Sequence, residues 1–567
     1  MISRGDRTVE NEVARILALP TLEPTPVDPG HMTQELRRPA GNWNLRPIQA
    51  LALSALAANR GLFAPIRVGG GKTLVSHLAP VVLGAKVGLV FTTAPNVVPS
   101  TEAFHRDCVP NFRTVPVVIR SYDSLSTANA TDYLERFAER FGDAFVIVCD
   151  EVHRLRNLDA SRTKRMGRFL LAHPGVAFAA LTGSVTKHGL ADFAHLAEWA
   201  LGRASPVPRP HHAAILDAWA QAIDSDGRPG PREWQAVAPL VAWAGPERGT
   251  DTETKRTVAR RALARRIRSA PGVVTSVDGD GHDGALEIRV RPVVMPPAVE
   301  EAIRVVRTTD VKPNGDVVTD DLDAARTARQ LAAGFYYLWQ WPDGKPDTAW
   351  LEARSRWHRH VRAELSSNSV EGHDSPFLVA GKIAREAEVG VRSAMHDAWR
   401  AWDGQRHKRW FGEKTPPTVP VWIDAFLVAD AIRWANEQEI RKEPGIVWYK
   451  HRAVEELLIA SGMPVYGAGS RIDEDRPHVC AASIRSHGTG RNLQKWHRSL
   501  VLEPPADGEG WEQLVGRQHR EGQTDDVLYE VYAHCDAYKD ALAKGRRDAD
   551  YVEETFYDQK LQKAVFA

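Results

Sequence analysis

Between residues 45 and 202, short apolar runs alternate with helix-like segments: Leu62 to Ile66, Val87 to Phe91, Val115 to Ile119, Phe145 to Cys149 and Val176 to Leu181. Parallel strands need crossover connections of helix length. This alternation therefore predicts an α/β fold, a parallel, doubly wound sheet with helices on both faces. The rhythm stops at Ser205-Pro206-Val207-Pro208-Arg209-Pro210, a turn-rich stretch that predicts a boundary near residue 203.

Beyond it the pattern is helical and dense in tryptophan, with Trp339, Trp341, Trp350, Trp357, Trp399, Trp402, Trp410, Trp422 and Trp434. Aromatics at such irregular helical spacing pack into a core more often than they form a base-stacking platform, and core is the reading adopted, with stacking as the alternative. Short buried strands return at Ile446 to Tyr449, Val479 to Ser483, Leu500 to Leu502 and Val527 to Val531, and an amphipathic helix is predicted from about Asp536 to the end. The expected organisation is an N-terminal extension at 1–44, a first βα lobe at 45–202, a helical accessory insertion at 203–425 and a second βα lobe at 426–567.

At 567 residues the chain is too long for one hydrophobic core, in keeping with several folded units. Hydrophobic residues at 43% and charged residues at 26% exclude a disordered or fibrous chain. With 73 Lys and Arg against 72 Asp and Glu, the net charge is +1, so any nucleic-acid contact must come from a local patch. The cysteines, Cys108, Cys149, Cys480 and Cys535, are too scattered for a zinc module or a disulfide framework, which suits a reducing compartment. The N-terminal residues lack a signal-peptide core, and no run approaches about 18 uninterrupted apolar residues, so a cytoplasmic protein without a membrane span is expected.

The sharpest chemical signal is Gly69-Gly70-Gly71-Lys72-Thr73, which follows an apolar strand and precedes a helix starting at Leu74-Val75. Glycines let backbone N–H groups close around phosphate oxygens, the helix N-terminus adds its dipole, Lys72 neutralises phosphate charge and Thr73 can ligate Mg²⁺. Ile66 stands where the simplest phosphate-loop pattern has its first glycine. Further along, Asp150 and Glu151 close the strand Val146-Ile147-Val148-Cys149, placing two carboxylates at the carboxyl end of a buried strand. There Asp150 would hold Mg²⁺ and Glu151 would orient or deprotonate the attacking water.

With Lys72-Thr73 and Asp150-Glu151-Val152-His153 read as its first motif and its DExH box, the chain resembles the superfamily-two helicases. Within them it is most similar to the Swi/Snf-type DNA translocases, including their small phage relatives. Leu45-Arg46-Pro47-Ile48-Gln49 resembles the family's adenine-recognising element, with Gln49 in the reading position. Ser121-Tyr122-Asp123-Ser124-Leu125 resembles the motif before the DExH box, and Leu181-Thr182-Gly183-Ser184 resembles Leu-Thr-Gly-Thr-Pro, with Val185 replacing the proline. Gln513-Leu514-Val515-Gly516-Arg517-Gln518-His519-Arg520-Glu521-Gly522-Gln523 is similar to the Gln-x-x-Gly-Arg-x-x-Arg-x-Gly-Gln signature, so Arg517 and Arg520 inherit the role of reaching the γ-phosphate. His487 to Gln494 resembles the Gly-x-Asn-Leu motif through Gly490, Asn492 and Leu493. Weaker echoes are the basic run Arg260 to Arg268 and the segment Leu331 to Phe335. Physically the basic run suits phosphate contacts or, equally, a solvated surface helix or one paired with Asp251 and Glu253.

The resemblance implies two RecA-like lobes of the P-loop NTPase type with ATP and Mg²⁺ between them. Lys72, Asp150, Glu151, Arg517 and Arg520 are then catalytic, while Gln49, Gly69 to Thr73, Gly490 and Gln513 bind the nucleotide. Thr73 and Asp150 hold the metal, and Thr182, Gly183, Ser184, Asn492 and Leu493 touch nucleic acid or couple it to the cleft. The expected activity is an ATP-dependent motor on DNA, duplex favoured, working in the bacterial host cytoplasm if phage-encoded. The alternatives are an RNA-dependent ATPase and a binding module with a vestigial ATP site.

Overall fold

The structure is a computed structural model that describes residues 12–22, 28–67, 69–126, 130–158, 160–183, 185–186, 189–245, 250–276, 284–366, 376–488, 492–520, 523–556 and 559–566. The first sheet contains β1 (Gly61–Pro65), β2 (Val87–Thr92), β3 (Val117–Ser121), β4 (Phe145–Asp150) and β5 (Ala177–Thr182), all parallel, in the order β1-β5-β4-β2-β3. Every residue of β1, β2, β4 and β5 is buried, whereas β3 at the edge is only half-buried. That is why the inner strands read as unbroken apolar runs. Helices α1 (Pro47–Asn59) and α2 (Lys72–Val82) pack on one face through Leu53, Leu56, Val75 and Leu78. The free edge of β1 is covered by residues 272–276: Phe63 N donates to Gly272 O and Val274 N donates back to Phe63 O.

From there the chain forms α3 (Thr252–Arg268), β6 (Leu286–Val290), α4 (Pro297–Thr309), α5 (Asp321–Ala332), β7 (Phe335–Trp339), α6 (Thr348–Ser366), α7 (Pro376–Glu388), α8 (Ala394–Arg406) and β8 (Thr418–Trp422). It continues through β9 (Gly445–Tyr449), β10 (Val465–Tyr466), β11 (Cys480–Ser483), β12 (Arg498–Val501), α9 (Gly508–Val515), β13 (Val527–Val531), α10 (Asp536–Thr555) and β14 (Val565–Phe566). The second sheet has seven parallel strands in the order β10-β11-β9-β12-β13-β6-β14, and β7 pairs with β8 antiparallel.

The chain is thus α/β with two parallel sheets, and both sets of inner strands lie within a residue or two of their expected positions. The stretch 203–425 is divided differently from the expected single insertion. Its first helices share a core with the first sheet through Ile215, Trp219, Leu240 and Leu263. Residues 286–335 belong to the second half: β6 is a strand of its sheet, and Val299, Ile303, Leu331 and Phe335 pack with Trp434 and Val447. Only α6, α7 and α8 form a separate small core, around Trp357, Val361, Ile383 and Trp399. Here the aromatic residues do pack as core: Trp339, Trp341, Trp350, Trp402 and Trp410 meet edge to face at 5.1–5.9 Å.

The C-terminal segment also departs from expectation. Helix α10 stops at Thr555, and the chain returns as β14 to extend the second sheet. The end of α10 crosses to the first half, where Tyr551, Val552 and Phe556 join the core beneath the first sheet. The basic run Arg260 to Arg268 is divided: Arg260 and Arg266 are buried as part of the receiving surface, while Arg261, Arg265 and Arg268 are exposed. Buried Arg260 donates to Ile223 O and pairs with Glu554 at 2.8 Å, and buried Arg266 donates to Pro20 O. Arg268 donates to Phe556 O.

At this junction Asp224 is half-buried, accepting from Leu190 N at 3.0 Å and from the Tyr551 hydroxyl at 3.1 Å. Burial pushes its carboxyl up to about 7, with Asp192 adding to the rise and the hydrogen bonds and Arg260 opposing it. A carboxyl raised in the folded state binds its proton more tightly there than in the unfolded chain. Its contribution is therefore full below the ordinary Asp range and is lost as pH rises towards 7 and above. Asp224→Asn keeps an oxygen acceptor and cannot ionise. Thermal melts from pH 5 to 8.5 are expected to show a smaller loss of Tm with rising pH in the variant, and parallel profiles would remove Asp224 from the balance.

Candidate active site

Because the strands of the first sheet are parallel and β1, β5 and β4 are neighbours, their carboxyl ends bring the glycine-rich turn, Thr182-Gly183 and Asp150-Glu151 to one edge. The turn feeds directly into α2, whose N-cap is Gly71 at φ +78°. A Cβ on Gly71 would lie 2.2 Å from Gln49 Nε2, and one on Gly70 would lie 2.4 Å from Ile66 Cγ2. Ile66 thus fills the space under the turn, and the glycines beside it are dictated by close approach. Buried Lys72 sends its ammonium back into the turn, donating to Ile66 O at 3.0 Å and Arg67 O at 3.2 Å. Thr73 stands half-buried in the first turn of α2.

Gln49 has a bracing role in this structure: its Nε2 donates to Gly71 O at 3.0 Å and its Oε1 accepts from Arg46 N at 2.9 Å. Arg46 in turn donates to Gly69 O at 2.9 Å. The element expected to read adenine is therefore bonded to the phosphate turn itself.

Asp150 is buried at the end of β4 beside Thr92, whose hydroxyl donates to it at 3.4 Å. Glu151 follows with φ 62°, ψ 52°, a left-handed conformation unusual for a side chain of this size. The kink turns the carboxylate away from the strand line and towards Gly183 N, the Thr182 hydroxyl and His153 Nδ1, each at 3.4 Å. Burial and the charge of Glu151 push the Asp150 carboxyl upward. Burial acts on Glu151 in the same sense, but Lys72, His153 and the Gly183 N–H outweigh it and hold this carboxyl low. Glu151 is thus the more firmly ionised of the pair. Tyr122, from the segment before the DExH string, fixes the strand end by donating to Asp150 O at 3.0 Å.

The other half supplies the opposite wall. Gly69 faces Arg520: a Cβ built on the glycine would meet Arg520 Nε and a terminal guanidinium nitrogen at 4.0 Å. Arg517 is buried, and its Nε donates to Gly488 O and Gln513 O, both at 3.1 Å. Burial and Arg520 pull its guanidinium down to about 10 while Glu151 acts in the other direction, so Arg517 is charged at neutral pH and feels both the second arginine and the carboxylate. The sequence-predicted Lys72, Asp150, Glu151, Arg517 and Arg520 thus converge on one cleft. Gln513 lies on α9 and holds Glu509 at 3.3 Å as well as Arg517.

Of the remaining expectations, Ser184 and Gly490 lie outside the described residues. Asn492 is exposed. Leu493 needs correction as a nucleic-acid contact: its side chain is fully buried beneath the second sheet, and its backbone N donates to Arg517 O at 2.9 Å, so it positions the arginine segment. One participant was missed. Glu509, at the start of α9, takes His153 Nε2 at 3.0 Å and Arg156 at 2.9 Å across the cleft. The signal available in the sequence was an acidic residue four positions before Gln513 on a helix.

Hard oxygen donors suit Mg²⁺: Asp150 offers a buried carboxylate at the end of β4 and Thr73 a hydroxyl in the first turn of α2, donors of the chemistry such an ion takes. Among the described residues no cluster of three or more His, Cys, Asp or Glu could hold a metal by itself, and no helix is long and apolar enough to cross a membrane. No family model and no curated protein matches the chain.

The Glu509 clasp predicts a measurable coupling. In a double-mutant cycle of Arg156→Ala and Glu509→Ala, the two single losses in unfolding free energy should exceed the double loss by about 1 kcal/mol, the scale for a partly buried pair in contact. Strict additivity would mean that the pair holds nothing together.

Proposed function

We propose that the chain is a nucleic-acid-dependent ATPase of the helicase and translocase type, hydrolysing ATP between two RecA-like lobes to move along DNA, with duplex DNA favoured. The observation that carries this reading is the approach of Arg520, from one half of the chain, to Gly69 of the phosphate turn in the other. A guanidinium brought to a phosphate-binding turn is the arrangement that stabilises charge on a transferring phosphoryl group.

On this reading the backbone N–H groups of Gly69 to Thr73 and the Lys72 ammonium take the triphosphate. Bound Mg²⁺, held by Thr73 and Asp150, would neutralise phosphate charge. Glu151, kept ionised by Lys72 and His153 and oriented by the Gly183 N–H, accepts a hydrogen bond from the attacking water and takes its proton. Arg517 and Arg520 face the transferring group from the second lobe. Nucleic acid lying across both lobes favours the closed cleft, so its binding raises turnover, and each cycle of closing and release shifts one lobe along the track. The preference for duplex DNA follows from the resemblance to Swi/Snf-type translocases, and Thr182, Gly183, Ser184 and Asn492 are the residues that this resemblance assigns to coupling.

The test is ATP turnover with no nucleic acid, duplex DNA, single-stranded DNA and RNA, followed by triplex displacement on duplex. Wild type is expected to be stimulated most by duplex DNA. Glu151→Gln should lose on the order of 10²-fold or more and Arg520→Ala roughly 10³-fold. A Glu151→Gln variant as fast as wild type would remove the assigned base. Stronger stimulation by RNA would move the activity to an RNA-dependent ATPase, and no turnover on any nucleic acid would leave a binding module with a vestigial site.

A further inference from the structure

Among the described residues Phe411 is the only exposed phenylalanine, at 72%. Trp410 and Glu413 exchange both backbone hydrogen bonds at 2.8 Å, closing a two-residue turn in which Phe411 and Gly412 have φ of 49° and 87°. Turns with both central residues at positive φ are ordinarily made by Asn-Gly or Gly-Gly. A bulky aromatic in the first place is strained, and exposed it gains no burial in return.

The base of the turn is firmly held. Trp410 packs edge-on to Trp341 at 5.4 Å, Trp341 packs on fully buried Trp350 at 5.7 Å, and Lys408 pairs with Asp347 at 2.7 Å. Beside the tip Arg409 and Lys414 are exposed, Arg406 and Lys408 are paired with Asp403 and Asp347, and Glu413 is the one acidic residue between 405 and 414. Arg409 is exposed and donates to Gly412 O at 3.2 Å. Strands β7 and β8 join this module to the second half at the carboxyl edge of its sheet, where Phe335 and Tyr337 pack on His451, two residues beyond β9, at 5.2 and 6.5 Å. Ligands of open α/β sheets lie outside that edge.

We propose that the Phe411 turn is a base-stacking tip: Phe411 lies against an exposed base at a duplex end, fork or single strand while the flanking cations take the adjoining phosphates. The choice of partner rests on the nucleic-acid motor reading and on charge complementarity. A protein surface that buried Phe411 would find charged residues and glycine around it instead of an apolar patch, whereas a nucleic acid offers flat apolar faces and a polyanionic backbone together.

The experiment uses the full chain and a forked DNA carrying 2-aminopurine at the junction, with wild type, Phe411→Ala and Phe411→Trp. Alanine should weaken binding about tenfold and abolish the change in 2-aminopurine emission, and tryptophan should retain both. Thermal melting guards against misfolding: because Phe411 is exposed and alanine keeps the same Cβ at this backbone position, the alanine variant should melt close to wild type. DNA-stimulated ATP turnover in wild type, with equal DNA affinity and emission in Phe411→Ala, would overturn the tip while sparing the motor. Loss of binding in Phe411→Ala without DNA stimulation of wild-type turnover would support the tip and sink the motor.

Discussion

Cations of like sign gather in a closed cleft only where something of opposite sign is held with them. Arg46, Lys72 and Arg520 approach the glycine turn from two halves of the chain, and Arg517, which feels Arg520 and Glu151, has its affinity for its proton lowered by burial and by Arg520. Glu151 offsets part of that charge from the first half, and Glu509 ties His153 and Arg156 to the second. Guanidinium groups suit such a place better than ammonium groups, because they stay charged when desolvated and carry several donors in a fixed fork.

The way the chain is threaded keeps the two walls in reach of each other. The second half, which includes β6 paired with β13, sends α10 back to bury Tyr551, Val552 and Phe556 under the first sheet. The second half therefore contributes an element to the first, and the two halves cannot separate as independent bodies without unburying large aromatic side chains. Movement that preserves these contacts is confined to rotation about them, which suits a cleft that opens and closes by small angles.

Much of this was legible in the sequence, for a physical reason. Strands buried on both faces leave unbroken apolar runs, so β1, β2, β4, β5, β9 and β13 announced themselves, and the glycine-lysine and Asp-Glu strings could be placed at their ends. β6 did not stand out because its Leu286, Ile288 and Val290 alternate with polar residues and its pairing partner is over two hundred residues away. Nor could periodicity say which sheet the helices after residue 203 would cover, since a helix face records that it is buried and not against what. The arginines of α3 misled for a related reason: charge suggests solvent, yet Arg260 and Arg266 are buried because carbonyls and Glu554 meet their donors.

The loop after β5 links the two features that sequence could not connect. At its start Gly183 N donates to Glu151, and a few residues later Leu190 N donates to Asp224, which also holds Tyr551 of α10. Between these points Thr186 anchors the loop by bonding Gly189 O and Asp192. Gly183 and Leu190, at the two ends of this stretch, thus bond one to Glu151 and the other to the carboxylate that holds Tyr551 of α10. Glu151 is already held in a left-handed backbone that few neighbours could sustain, so its carboxylate direction depends on that hydrogen bond and on His153, whose other nitrogen is bound to Glu509. The carboxylate is thus held by the Gly183 N–H, the Thr182 hydroxyl and His153, and His153 ties this strand end to the second half through Glu509.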